Sequence, residues 1–160
     1  MNPKDNNLLD ALQIALDAEH KARSFYTDAA GKTSNPYCKE VFQKLAEFED
    51  FHVKKLSDLV KSLRENGAFI QYEGREIKVA TPSEVLKTVQ VEKASVSEVL
   101  TAAMASEREA EERYQDLAKQ TANQDGKAMF TKLSAEEHEH YVLLRDAYWT
   151  LNDGGARPRR

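Results

Sequence analysis

The sequence predicts an all-α protein, an antiparallel four-helix bundle built from two helical hairpins joined by a long crossover that contains a short helix. Three observations carry that expectation. Four long segments place apolar residues at helical spacing, helix start and stop signals bound them, and the second half of the chain repeats the first at an offset of 88 residues.

The first helix runs from about Asn7 to Ala30 on a stripe of Leu12, Leu16, Glu19, Ala22, Tyr26 and Ala30, with Gly31 as a left-handed stop. The second starts at Asn35-Pro36, an N-cap followed by proline at the first helical position, and ends at Asn66-Gly67. Its stripe is Phe42, Leu45, Glu49, His52, Leu56, Leu59 and Leu63. A third helix follows Ser95-Val-Ser-Glu98, which fits a capping box, and carries Leu100, Ala103, Glu107, Ala110, Tyr114 and Leu117. The fourth follows Asp125-Gly126, with Phe130, Leu133, Glu137, His140, Leu144 and Leu151. Short turns join helices one and two, and three and four, so each pair should form an antiparallel hairpin. The crossover spans about residues 68 to 95. A second capping box at Thr81-Pro-Ser-Glu84 points to a short helix over Val85 to Val91, whereas Phe69 to Val79 fits either an extended strap or a small hairpin. Residues 1–153 are thus expected to form the bundle and residues 154–160 a flexible C-terminal tail.

Composition narrows the function classes. The 160 residues are 41% hydrophobic and 31% charged, enough for one domain with a modest core. The net charge is −4 and the basic residues are scattered, so nucleic acid is not an expected partner. No apolar run approaches the roughly 20 residues of a membrane span, and the N-terminus lacks signal-peptide order, so the expectation is a soluble cytoplasmic protein with no membrane partner. One cysteine, Cys38, leaves no partner in the chain for a disulfide and reads as a small helix-borne hydrophobe.

The repeat does more than match leucines. It pairs Leu12 with Leu100, Tyr26 with Tyr114, Phe42 with Phe130 and Leu56 with Leu144, but also Glu19 with Glu107, Glu49 with Glu137 and His52 with His140. These six polar residues sit where the stripe calls for inward-facing hydrophobes. A buried glutamate needs a partner or a cation, and an uncompensated buried charge costs several kcal/mol out of a stability of roughly 5–15 kcal/mol. Two divalent cations would balance four carboxylates. In Glu49-Asp-Phe-His52 and Glu137-His-Glu-His140 the i, i+3 spacing stacks both ligands on one helix face. One glutamate from each of two helices plus Glu-x-x-His from each of the other two is the arrangement by which four-helix carboxylate proteins hold paired iron or manganese. Glu49 and Glu137 are best placed to bridge.

With Ala18-Glu19 through Tyr26, Glu49-x-x-His52, Ala105-Ser-Glu107 through Tyr114, and Glu137-x-x-His140, the chain resembles the rubrerythrin and ferritin-like di-iron family over roughly residues 8 to 150. The resemblance implies two iron ions held by Glu19, Glu49, His52, Glu107, Glu137 and His140; manganese also suits these ligands. It places Tyr26 and Tyr114 where the family often has tyrosines near the site, as core aromatics or as hydrogen-bond donors to a ligand. The implied activity is that of a non-haem di-iron oxidoreductase reducing hydrogen peroxide, or oxygen less productively, with electrons from an external donor such as a rubredoxin-like protein. Ferritin-like iron oxidation for handling or storage is the alternative, and a non-enzymatic metal-bound scaffold a third. A homodimer is expected, and the crossover would let hairpins exchange between chains.

The departures are specific. With one cysteine, these residues are not expected to include a four-cysteine rubredoxin module, Ala110 stands where many rubrerythrins carry an extra glutamate, and Asp50 stands where bacterioferritins place a haem-binding methionine. Glu136, Glu139, Glu109, Glu112, Asp50 and His20 lie off the stripe and are expected on wet helix faces, as are His138 and Glu111. Phe48 and Phe51 are expected to pack against a neighbouring helix or subunit.

Overall fold

A computed structural model describes residues 3–79 and 93–153. Among them are four helices and no strand: α1 (Pro3–Lys32), α2 (Pro36–Asn66), α3 (Lys93–Gln120) and α4 (Gln124–Asp153). The four-helix expectation therefore holds, with α1 packed on α2 and α3 on α4 as hairpins.

The boundaries follow local chemistry. Asn35 caps α2, its side-chain oxygen accepting from the Cys38 N–H at 3.0 Å, and Pro36 fills the first turn, where no intrahelical donor is needed. Gly67 ends α2 at φ 65°, a left-handed conformation that favours glycine, and its N–H closes on the Leu63 carbonyl at 3.0 Å. Gly31 does not play the same part. It lies inside α1, which runs on to Lys32, and the Thr33 N–H still reaches the Ala29 carbonyl at 3.1 Å. The chain then turns through residues 33–35 to Asn35-Pro36, where proline keeps Asn35 out of helical backbone and α2 starts. Helix α3 begins two residues before Ser95, leaving that serine exposed within the helix rather than capping it. Helix α4 begins at Gln124 because Asn123 is the cap: its side chain accepts from the Gly126 N–H at 3.0 Å and its carbonyl from the Lys127 N–H at 2.9 Å. The short helix expected over Val85 to Val91 and the expected tail at 154–160 lie outside the described residues.

Two apolar clusters fill the bundle, one toward each end. The first joins Tyr26, Val41, Phe42, Leu45, Leu100, Leu144 and Leu151 with their neighbours. The second joins Leu12, Leu56, Leu59, Tyr114, Phe130 and Leu133. Most are under 2% exposed, and full burial of such a side chain contributes about 1.5–3 kcal/mol. The 88-residue repeat exchanges the clusters: Leu12 lies in one and Leu100 in the other, and Phe42 and Phe130 are likewise split. The hairpins are thus related by a pseudo-twofold across the bundle. Its polar layer falls between the clusters.

Residues 67–79 form an extended strap rather than a hairpin. Phe69, Ile70 and Tyr72 pack against the second cluster, and Ile77 and Val79 against the first. The strap therefore runs along the bundle past the polar layer. Gln71 anchors it by donating to Asp125 at 3.0 Å.

Candidate metal centre

Each helix delivers one segment to the middle layer. Glu19 comes from α1, Glu49 and His52 from α2, Glu107 from α3, and Glu137 and His140 from α4, each at most 3% exposed. All six residues expected from the sequence meet here within one chain. They form two overlapping groups, Glu19, Glu49, His52 and Glu137, and Glu49, Glu107, Glu137 and His140, with the donor atoms of each group within 4.8 Å of one another. Glu49 and Glu137 belong to both, as a bridging role requires.

The same ring nitrogen faces the centre in both histidines. Nδ1 of His52 lies 3.2 Å from Glu49, 3.1 Å from Glu137 and 3.6 Å from Glu19. Nδ1 of His140 lies 3.1 Å from Glu137, 3.4 Å from Glu49 and 3.7 Å from Glu107. Proximity is not satisfaction: both Glu49 carboxylate oxygens, Glu137 Oε1 and His52 Nδ1 are buried without an aligned hydrogen-bond partner. Buried polar atoms are rarely left so, and lone pairs converging on a common point are what a cation completes.

The protons tell the same story. Burial, with Glu107 and Glu19 beside it, pushes the Glu49 carboxyl up to about 7, and burial with Glu137 nearby does the same for Glu107. Burial would also raise Glu19, but the His52 imidazole outweighs it and holds this carboxyl near 2. Burial works against charge on the imidazoles, yet Glu137 and Glu19 around His52, and Glu49 and the hydrogen bonds that His140 donates to Glu107 and Glu137, raise both well above the ordinary range. Without a metal, protons neutralise the layer. The donor set, two imidazoles and four carboxylates, fits two divalent transition metals such as iron or manganese.

Tyr26 donates to Glu107 and Tyr114 donates to Glu19, a reciprocal pair exchanged by the repeat. Each tyrosine is a core aromatic and a hydrogen-bond donor to the layer at once. Burial first, then the adjacent carboxylates, raises both phenols well above their usual range, so they are protonated donors at neutral pH.

One site residue was missed. Glu136, expected on a wet face, is 5% exposed. Its Oε2 lies 3.0 Å from His52 Nε2 and accepts from the Tyr72 hydroxyl at 2.5 Å, while Oε1 accepts from the Arg75 N–H at 2.7 Å. The strap covers this face, which helical periodicity alone cannot register. The available signal was Phe48, its counterpart 88 residues earlier, since a large apolar residue off the stripe marks that face as covered. Phe48 packs against both histidine rings, 5.1 Å from His52 and 4.5 Å from His140 between centroids. Phe51 is half-buried under Tyr72 and Arg75.

The other off-stripe groups remain outside. His20, Asp50, Glu109, Glu112 and Glu139 are exposed, and Asp50 pairs with Arg23 at 2.8 Å. His138 is exposed, 3.3 Å from Glu111, which is half-buried rather than free in solvent. Ala110 is half-buried, so the extra-glutamate position is held by a methyl group. Cys38 lies in the first apolar cluster. No described helix is long and apolar enough to cross a membrane.

A solved structure of a hypothetical protein from Pyrococcus furiosus shares 24% identity over 98% of this chain and 97% of its own, with a TM-score of 0.74, which supports a ferritin-like helical bundle. A comparison with curated proteins gave no match. The rubrerythrin family model matches residues 10–148, the span that holds all four helices' contributions to the polar layer, and the chain belongs to the rubrerythrin family.

Proposed function

We propose that the protein is a non-haem di-iron oxidoreductase that reduces hydrogen peroxide to water. The observation that carries this reading is the pair of overlapping four-residue groups sharing Glu49 and Glu137. Glu19 and His52 would hold one metal, Glu107 and His140 the other, with Glu49 and Glu137 common to both. Two ferrous ions so held would supply the two electrons needed to cleave an O–O bond, H2O2 + 2 H⁺ + 2 e⁻ giving 2 H2O.

The chain's own residues set the conditions. The apolar clusters above and below exclude water from the layer, which strengthens every charge interaction within it. Tyr26 and Tyr114 hold Glu107 and Glu19 in place, each with a proton on the phenol oxygen. A groove between α1 and α3, lined by Ala18, Ala22, Ala102, Ser106 and Tyr26, offers a small substrate an approach beside the Tyr26 phenol. Electrons come from an external donor, with a rubredoxin-like protein as the class proposed, and the working unit is a homodimer, with hairpin exchange through the crossover as one way to build it.

Anaerobic ferrous titration followed by stopped-flow mixing tests the reading. Saturation at two irons per chain and oxidation faster with peroxide than with oxygen are expected. Saturation far from two refutes the ligand assignment, reaction no faster than that of free ferrous ion favours a scaffold, and a 24-mer by native mass spectrometry favours iron storage.

A further inference from the structure

The two halves of the polar layer are not equivalent. For the six ligands and the two tyrosines the 88-residue repeat gives each group a matching partner, but behind the histidines it pairs Glu136 with Phe48. Nε2 of His52 meets the Glu136 carboxylate at 3.0 Å. Nε2 of His140 is buried and has no hydrogen-bond partner among the described residues, and the His140 ring stands edge-on to Phe48, at 80° between planes.

Metal ligation needs a neutral imidazole, and a carboxylate only accepts, so the hydrogen bond to Glu136 would keep the one remaining proton of His52 on Nε2 and present the Nδ1 lone pair toward Glu49, Glu19 and Glu137. Glu136 is itself fixed, by the Tyr72 hydroxyl and the Arg75 N–H, so it cannot follow the ring if the ring turns. Gly74 permits that approach: a Cβ there would lie 2.4 Å from Glu136 Oε1. His140 Nε2 has no such acceptor among the described residues, and Phe48 offers its ring only packing, 4.5 Å between centroids.

We propose that Glu136 is a positioning residue that orients His52 and increases its basicity as a metal ligand, making the Glu19–His52 position the tighter and first-filled of two unequal metal positions. This rests on the two-metal reading above. It also ties the strap to the metal, through Tyr72, Arg75, Glu136 and His52 in series. Loss of a carboxylate behind a ligating histidine typically weakens metal affinity about 10–100-fold.

Anaerobic Co²⁺ titration, followed by visible absorption with stoichiometry checked by native mass spectrometry, reads each step without catalysis. The wild-type chain is expected to bind two Co²⁺ in two resolved steps, and His52→Ala to lose the tighter. Glu136→Gln, close in volume but with a single, uncharged acceptor oxygen in place of the two that Arg75, Tyr72 and His52 meet, should weaken that step about 10–100-fold and leave the other within about twofold. Tyr72→Phe, which leaves Glu136 in place but removes one of its donors, should weaken the same step by less. A general loss of structure would weaken both steps together. Two equal steps in the wild type, or a Glu136→Gln variant that leaves both unchanged or lowers both alike, overturns the inference while two-metal binding stands. Failure of the wild type to bind two Co²⁺ overturns the two-metal reading instead.

Discussion

Removing the metal should reverse the usual benefit of neutral pH. Glu49 and Glu107 titrate near 7 in the folded chain, against 4.5 in an unfolded one. Between those values the folded state binds protons that the unfolded state has released, so stability falls as pH rises. The loss is about 1.4 kcal/mol per pH unit per proton, and the window spans roughly 2.5 units, giving about 3 kcal/mol for each carboxylate. His52 and His140 act in the same direction: their folded-state values lie well above 6.5, so their contribution is present below that pH and is lost as pH rises beyond it. Glu19 has the opposite sign. Held near 2, it contributes stability above about 4.5 that is lost only as pH falls toward 2, outside the window.

For a domain of this size, 1 kcal/mol moves the melting temperature by about 2–4 °C, so one carboxylate alone should lower it by about 6–12 °C between pH 5 and 8. Circular-dichroism melts of chelator-treated protein at pH 5, 6, 7 and 8 measure the slope. The metal-loaded protein should slope the other way, because binding needs deprotonated ligands and strengthens as protons leave. A metal-free melting temperature that is flat or rising from pH 5 to 8 would refute the argument that protons neutralise this layer.

Three substitutions probe the same layer. Glu49→Leu removes the buried carboxyl that titrates near 7 and is shared by both ligand groups; it should abolish two-metal saturation and remove about 3 kcal/mol of the fall in metal-free stability between pH 5 and 8 in urea titrations, and an unchanged pH slope would contradict it. Tyr114→Phe strips Glu19 of its phenol donor and should cost about 1–3 kcal/mol by the same measurement, with Tyr26→Phe costing a similar amount at Glu107. Gly74→Ala puts a methyl group 2.4 Å from Glu136 Oε1 at a backbone φ of 78°, which should cost about 1–2 kcal/mol and speed hydrogen exchange at the Arg75 amide; unchanged exchange there would show that the strap does not depend on this approach.

The helices and the six inward ligands were legible in the sequence because both are governed by local period. A stripe residue such as Glu137 faces the same way whatever lies beyond the bundle, and matching it to Glu49 removes the ambiguity of a single helix. Boundaries were less legible. Gly31 looks like Gly67, but only Gly67 adopts the left-handed backbone that ends a helix; Gly31 stays within α1, which stops one residue later at Lys32. Nothing local separates the two glycines. Ser95 failed for a related reason, since a serine three residues before a glutamate caps a helix only where the preceding residues are not themselves helical.

Glu136 could not be read from period at all. Its burial depends on the strap, a segment some 60 residues away whose apolar residues Phe69, Ile70 and Tyr72 attach it to one cluster and Ile77 and Val79 to the other. A helix face is wet or dry according to what the rest of the chain lays over it, and an irregular strap leaves no periodic trace in the helix it covers. The repeat limits such errors more than propensity does. Where both members of a pair are apolar, or both are ligands, either assignment supports the other. Where the pair is Phe48 and Glu136, the mismatch shows that the two copies now meet different surroundings, and the surroundings differ because residues 67–79 follow the first hairpin and pass over that face. The asymmetry of the metal centre therefore originates in chain connectivity: a duplicated framework supplies two like half-sites, and the linker between the copies covers a face on which Glu136 meets Nε2 of His52 while Nε2 of His140 has no such partner among the described residues.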